Sequence, residues 1–251
     1  MVGSAPNSLV ERAAILSNAG FLHGFSTRAG GADFSLLRAP DALALDCTRL
    51  AREVGFDPAR LYQAKQVHGT TAHIAVGNPA DVVTRDGDAV VARDLGAAAG
   101  IRVADCVPVL VADEATGTCA AIHAGWRGVE RGIVRAVVLA YFLDGGSSKI
   151  IAAIGPSIGH CCFEVSLDVA TQIEAAVADP RVVVARYPER KAKVDLRLAV
   201  RAQLVACGLA DDRIEDVGGC SFCDPEKYHS FRRDGDASGR MIAVIVAPRA
   251  P

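Results

Sequence analysis

The stretch from Val107 to His123 constrains the fold most. Val107–Ala112 is an apolar run rich in β-branched residues, and Thr118–His123 is a second. Between them lies Asp113-Glu114-Ala115-Thr116-Gly117, a turn-forming pentapeptide. The pattern predicts a β-hairpin over residues 107–123. In an antiparallel pair the start of one strand lies beside the end of the next. Cys106 is then brought next to His123.

Other elements follow from spacing and punctuation. Leu9–Ser17 and Asp46–Val54 have short-helix spacing, and Gly20–Ser26, Asp88–Ala92, Ile150–Ile154 and Met241–Ala247 read as strands. Ile133, Val134, Val137, Val138 and Tyr141 form one apolar stripe and predict a helix from about Val129 to Phe142. Ser166 is expected to cap a helix ending near Val177. Asp195 is expected to cap another ending near Cys207, with Gly208 just past its end. Strands and helices mix without regular alternation, so the expected class is α/β: one mixed, layered domain over residues 1–251. No repeat or Pro/Gly/Ser-rich linker divides the chain.

Composition excludes several functions. Lys and Arg total 27 against 29 Asp and Glu, a net charge of −2. The cations are scattered, apart from a modest run at 186–193, so neither a nucleic-acid stripe nor a polybasic membrane anchor is expected. No apolar run approaches the roughly 18 residues of a membrane span. Residues 1–12 lack the pattern of a secretory signal. A cytoplasmic protein is expected, and its eight cysteines read as free, buried or metal-bound thiols rather than disulfides.

Chemistry concentrates at His68, Cys106 and His123. They lie in Gln66-Val67-His68-Gly69, Ala104-Asp105-Cys106-Val107-Pro108 and Ile122-His123-Ala124-Gly125-Trp126-Arg127-Gly128. Two imidazoles and one thiolate make three transition-metal ligands with one position left open, the pattern of a catalytic zinc site. Taken singly, each residue reads at least as well as a buried thiol or a hydrogen-bonded histidine. Flanking Gly and Pro favour loops at a cleft. Sequence alone does not place His68.

The Gly125–Gly128 turn opens a helix, and its backbone N–H groups with Arg127 form a candidate anion site. Arg28, in Ser26-Thr27-Arg28-Ala29-Gly30-Gly31, is a second candidate substrate or phosphate contact. Cys220-x-x-Cys223 has metal or redox spacing, but a structural zinc needs a second pair. Cys161 and Cys162 are adjacent, which argues against two ligands to one ion, so packed thiols are expected. Asp86-x-Asp88 is too closely spaced to count as an acid/base carboxylate pair.

These motifs, with Gly155-Pro156-Ser157-Ile158-Gly159, Cys162-Phe163-Glu164-Val165 and Ser230-Phe231-Arg232-Arg233-Asp234 closing on Gly239-Arg240, resemble the polyphenol oxidase or laccase-domain family of multifunctional purine nucleoside phosphorylases. The ordered match spans residues 66–247. The resemblance implies an α/β/β/α layered domain similar to the catalytic domain of a deamidating cysteine-hydrolase toxin. It implies one catalytic zinc on His68, Cys106 and His123. It also implies phosphorolysis of adenosine, inosine, guanosine and S-methyl-5′-thioadenosine, and deamination of adenosine. The expected partners are purine nucleosides and phosphate, with no nucleic acid, membrane or obligate protein partner. The segment after Gly31, Ala32-Asp33-Phe34-Ser35-Leu36-Leu37, is shorter than the family's, which puts substrate preference in question.

Older labels for that family imply copper and phenol oxidation. A multicopper oxidase needs many histidines, and this chain has six, with two in the strong motifs. A blue-copper site adds a weak axial Met, but only Met1 and Met241 exist. Two further classes stay open. One is a cysteine hydrolase or amidase using Cys106 and His123 on a cell-wall-precursor-type amide. The other is a non-catalytic nucleoside-binding protein.

Overall fold

In the computed structural model, residues 8–143 and 149–248 are described. The signal-peptide reading of residues 1–12 therefore falls partly outside them. The chain runs β1 (Val10–Glu11), α1 (Ala14–Asn18), β2 (His23–Ser26), α2 (Pro40–Val54), β3 (Leu61–Tyr62), β4 (Ala72–Ile74), α3 (Pro79–Val82), β5 (Ala89–Ala92) and β6 (Ala98–Val103). The hairpin β7 (Val107–Asp113) and β8 (Cys119–Ala124) follows, then α4 (Trp126–Glu130), α5 (Ile133–Tyr141) and β9 (Ile150–Ile154). The last part is β10 (Glu164–Ser166), α6 (Leu167–Val177), β11 (Val183–Tyr187), β12 (Lys191–Val194), α7 (Leu196–Ala206), β13 (Ile214–Asp216), α8 (Phe231–Asp234) and β14 (Met241–Val246).

Two mixed sheets carry the core. One has the order β13-β9-β7-β8-β5-β4, the other β1-β2-β14-β6-β3; β10, β12 and β11 form a small third sheet. Strand side chains alternate between faces, and in β7 both faces are dry. Val107, Val109 and Val111 pack with Ile133, Val137, Ile173 and Val200 of the helices. Leu110 and Ala112 pack with Ile101, Ala243 and Ile245 of the second sheet. The far face of that sheet, through Ala98 and Val244, meets Leu50 and Val54 of α2. The layers are thus α/β/β/α, and a strand buried on both faces explains the unbroken apolar runs.

The hairpin registers Val107 with Ala124 and Pro108 with His123. The two predicted caps are present: Ser166 Oγ accepts from the Val169 N–H at 3.4 Å, and Asp195 Oδ1 from the Leu198 N–H at 2.9 Å. Gly208 follows the second helix at φ +92°. Three expectations change. The helix expected from Val129 to Phe142 is two helices, broken where Gly132 takes φ +76°. The segment around Leu9–Ser17 is a two-residue strand followed by α1. The helix expected over Asp46–Val54 begins earlier, at Pro40, where proline suits the first turn. Among the described residues, no helix is long and apolar enough to cross a membrane.

Candidate metal centre and its pocket

Asp88 assembles the centre. It precedes β5, which pairs with β8 so that Ala89 faces Ile122. Asp88 is therefore opposite His123, whose N–H bonds the Asp88 carbonyl at 2.7 Å. Asp88 Oδ1 accepts from His123 Nδ1 at 2.8 Å. The same carboxylate accepts the backbone N–H groups of Val67 (3.2 Å), His68 (2.9 Å) and Gly69 (2.7 Å). These bonds hold the turn that carries His68 at φ +60°, a backbone region costly for a non-glycine residue. The position of His68, which its own sequence context does not give, is set by a carboxylate twenty residues away.

The structure brings the three expected ligands together. One donor atom from each of His68, Cys106 and His123 lies within 4.8 Å of the other two. Cys106 Sγ is 3.8 Å from His68 Nε2, and the two imidazoles meet edge to face at 4.9 Å. Metal–ligand bonds of about 2.0–2.3 Å put the edges of a tetrahedral site at about 3.3–3.8 Å, so small adjustments suffice. With Nδ1 directed at Asp88, His123 presents Nε2 to the centre, the orientation in which a carboxylate fixes a metal-ligating tautomer. The residues fit a three-ligand metal site.

Electrostatics support the same reading. Burial alone raises the Cys106 thiol, but the charge and hydrogen bond of His123, then those of His68, outweigh it and bring it below the ordinary thiol range. Burial opposes charge on His123, yet the Cys106 thiolate and Asp88 raise it above the usual imidazole value. Burial also opposes ionisation of Asp88, but His123 and the Gly69 and Val67 N–H groups hold it below the carboxylate range. Without metal, both shifts favour a thiolate beside an imidazolium. Entry of a metal ion then works against the raised proton affinity of His123 and with the lowered one of Cys106. Affinity should rise with pH until His123 is neutral. A metal affinity at this centre that does not change as pH rises through neutrality would contradict the assignment.

Gly125 leaves room for the ligands. A Cβ there would lie 2.7 Å from His68 Cδ2 and 3.1 Å from Cys106 Sγ. Its φ of −70° suits any residue. Gly125→Ala should therefore keep the fold and its melting temperature within a few degrees, but weaken metal binding at least tenfold. Competition with a chromogenic chelator measures this.

The centre opens into a cavity of about 670 Å³, within the usual range for small-molecule sites. Ile158, Trp126, Phe163 and Phe231 supply apolar walls, and Ser35, Leu36 and Leu37 of the short segment after Gly31 also line it. Arg102, Arg127, Arg232 and Arg240 lie in it too. Their described partners are neutral: Gln63 Oε1 for Arg102, the Trp126 ring 4.4 Å from Arg127, the Glu164 carbonyl for Arg232, and the Ser238 and Gly239 carbonyls for Arg240. Arg28 does not line this cavity. Its guanidinium bonds the Pro225 carbonyl at 2.9 Å and borders a separate cavity with Asp33 and His229. The helix opened by Gly125 has five residues, so arginines rather than a helix dipole supply the positive field.

The family model described as multi-copper polyphenol oxidoreductase laccase matches residues 23–248. The chain belongs to this laccase family. An adenosine deaminase, RL5, from an unknown prokaryotic organism is 36% identical over 205 residues, 78% of each chain. A purine nucleoside phosphorylase of Deinococcus radiodurans is 35% identical over 237 residues, covering 90% of this chain and 89% of that one. The crystal structure of YlmD from Geobacillus stearothermophilus superposes with a TM-score of 0.85 at 25% identity, over 96% of this chain and 99% of that one. The matched laccase-family region contains the candidate metal centre and all four cavity arginines. Of those arginines, only Arg102 lies outside the motifs quoted above; Arg232 and Arg240 lie within them with no role read from their spacing, and Asp88 is passed over beside Asp86. The available signal for Asp88 was its place at the head of an apolar strand that pairs with the strand of His123.

Proposed function

We propose that the chain is a zinc-dependent purine nucleoside phosphorylase that also deaminates adenosine. The carrying observation is a three-residue set suited to a metal, opening on a nucleoside-sized cavity with four arginines whose guanidinium groups have no carboxylate partner among the described residues. Bound zinc supplies Lewis acidity and water activation at neutral pH. His68, Cys106 and His123 hold it, and Asp88 fixes the His123 tautomer. Arg127, kept on the Trp126 face, and Arg232 are placed to bind phosphate. Trp126, Phe163 and Phe231 offer apolar surface to a purine. The proposed substrates are adenosine, inosine, guanosine and S-methyl-5′-thioadenosine with phosphate, handled by the whole chain as one domain. The names of the two relatives support both activities.

Zinc is proposed over copper because the centre has two imidazoles, one thiolate and neither methionine in its lining. A cysteine hydrolase has one observation in its favour: Cys106, His123 and Asp88 are arranged as nucleophile, base and orienting acid. His68 argues against it, since a thiol nucleophile needs one imidazole rather than two facing it. Zinc-replete protein given adenosine and phosphate should produce adenine with ribose 1-phosphate, and inosine. Absence of both overturns the proposal. Arg127→Ala should raise the phosphate KM roughly ten- to a hundred-fold, as expected for a lost charge-assisted hydrogen bond. Phosphate-free deamination should fall less.

A further inference from the structure

Four cysteines outside the described centre meet at a second point. β13 runs parallel to β9, pairing Ile214 with Ala152 and Asp216 with Ile154. Parallel neighbours leave a sheet at the same end, so the segments after them travel together. Ser157 bridges Cys220, and the Ser221 N–H bonds the Ser157 carbonyl at 2.9 Å. One segment carries Cys161 and Cys162, the other Cys220 and Cys223. Adjacency of Cys161 and Cys162 argues against both serving as ligands to one ion. Instead, Cys223 Sγ is 3.6 Å from Cys161 Sγ and 3.3 Å from Cys162 Sγ. All four sulfurs lie within 4.8 Å of one another.

Four thiolates about 2.3 Å from one ion stand about 3.8 Å apart in a tetrahedron, close to these spacings. The Gly159 N–H donates to Cys220 Sγ at 3.1 Å, a bond that favours a thiolate. Lys193 Nζ, 2.6 Å from the Cys161 carbonyl, adds positive charge beside the cluster. We propose that Cys161, Cys162, Cys220 and Cys223 form a closed structural site for a thiophilic divalent ion of the zinc class. The site clamps two segments of the cavity wall. Ile158 and Phe163 line the cavity from one. From the other, Ser221 Oγ donates to Asp105 Oδ1 at 2.6 Å. Asp105 directly precedes the ligand Cys106 and takes φ +85°. The clamp supports that ligand from outside and does not depend on the reaction at the first centre.

Metal content of the full chain tests this without turnover. Protein purified anaerobically with zinc should hold two equivalents. Cys220→Ser/Cys223→Ser should hold one, and His68→Ala/His123→Ala should also hold one. Cobalt in the latter variant should show the intense near-ultraviolet thiolate charge transfer of a four-sulfur tetrahedral site. Two outcomes overturn the proposal. One is a single equivalent in the unaltered chain that the Cys220→Ser/Cys223→Ser change leaves in place. The other is a non-reducing mass two hydrogens lower per cysteine pair in that anaerobic protein, which means disulfides. Neither outcome bears on phosphorolysis at the first centre.

Discussion

Substituting His123 with alanine should lower kcat/KM for adenosine phosphorolysis and deamination by about a thousandfold or more. His123 is buried, bonds Asp88 through Nδ1, and offers its other nitrogen to the centre. Its loss leaves two protein ligands where a catalytic ion needs three. The Lewis acidity then lost is worth several kcal/mol, and each 1.36 kcal/mol is a factor of ten. Cys106→Ser should have the same sign, since a hydroxyl is a poor zinc ligand at neutral pH. Unchanged circular dichroism with lost metal identifies the cause as ligation. Near-normal turnover in either variant would remove the centre from the chemistry.

Asp88→Ala carries the second large effect, and it strikes stability as well as activity. The carboxylate is fully buried and accepts four hydrogen bonds. Removing it strands three backbone donors in the left-handed turn of His68 and frees the His123 ring. Loss of one partner from a buried charged network costs about 3–5 kcal/mol. For a chain of this size that lowers the melting temperature on the order of 10 °C. Losing the group that orients a metal-ligating histidine also weakens metal binding by about ten- to a hundred-fold. Asp88→Asn should be milder, because it keeps an acceptor for the turn. Scanning calorimetry and chelator competition measure the two effects separately. A melting temperature shifted by less than 2 °C would show that Asp88 does not assemble the centre.

The hairpin was legible because β7 and β8 are buried on both faces and so contain almost nothing but apolar residues. The capped helices α6 and α7 were legible because Ser166, Asp195 and Gly208 act within a few residues of the ends they fix. β6 was not, since Ala98-Ala99-Gly100 has no strand preference of its own; its pairing with β14 makes it a strand. The same division holds at the site. Chemistry named the three candidate ligands, and the hairpin register joined two of them. His68 required Asp88, whose role comes from a long-range strand pairing. Arg28 looked like Arg127 because both lie in Gly-rich turns, but their segments end at different cavities. The four cysteines were separated by an argument about adjacency, which the convergence of two segments after parallel strands overrides.

The most direct test of a catalytic metal at His68, Cys106 and His123 follows one sample through removal and return of zinc. Phosphate-dependent release of adenine from adenosine is measured in the loaded protein, after stripping with a strong chelator, and after zinc is restored. The account predicts turnover, loss of at least nine-tenths of it, and recovery on return of zinc, with none of this in Cys106→Ser. Full turnover in protein shown to contain no metal would contradict it.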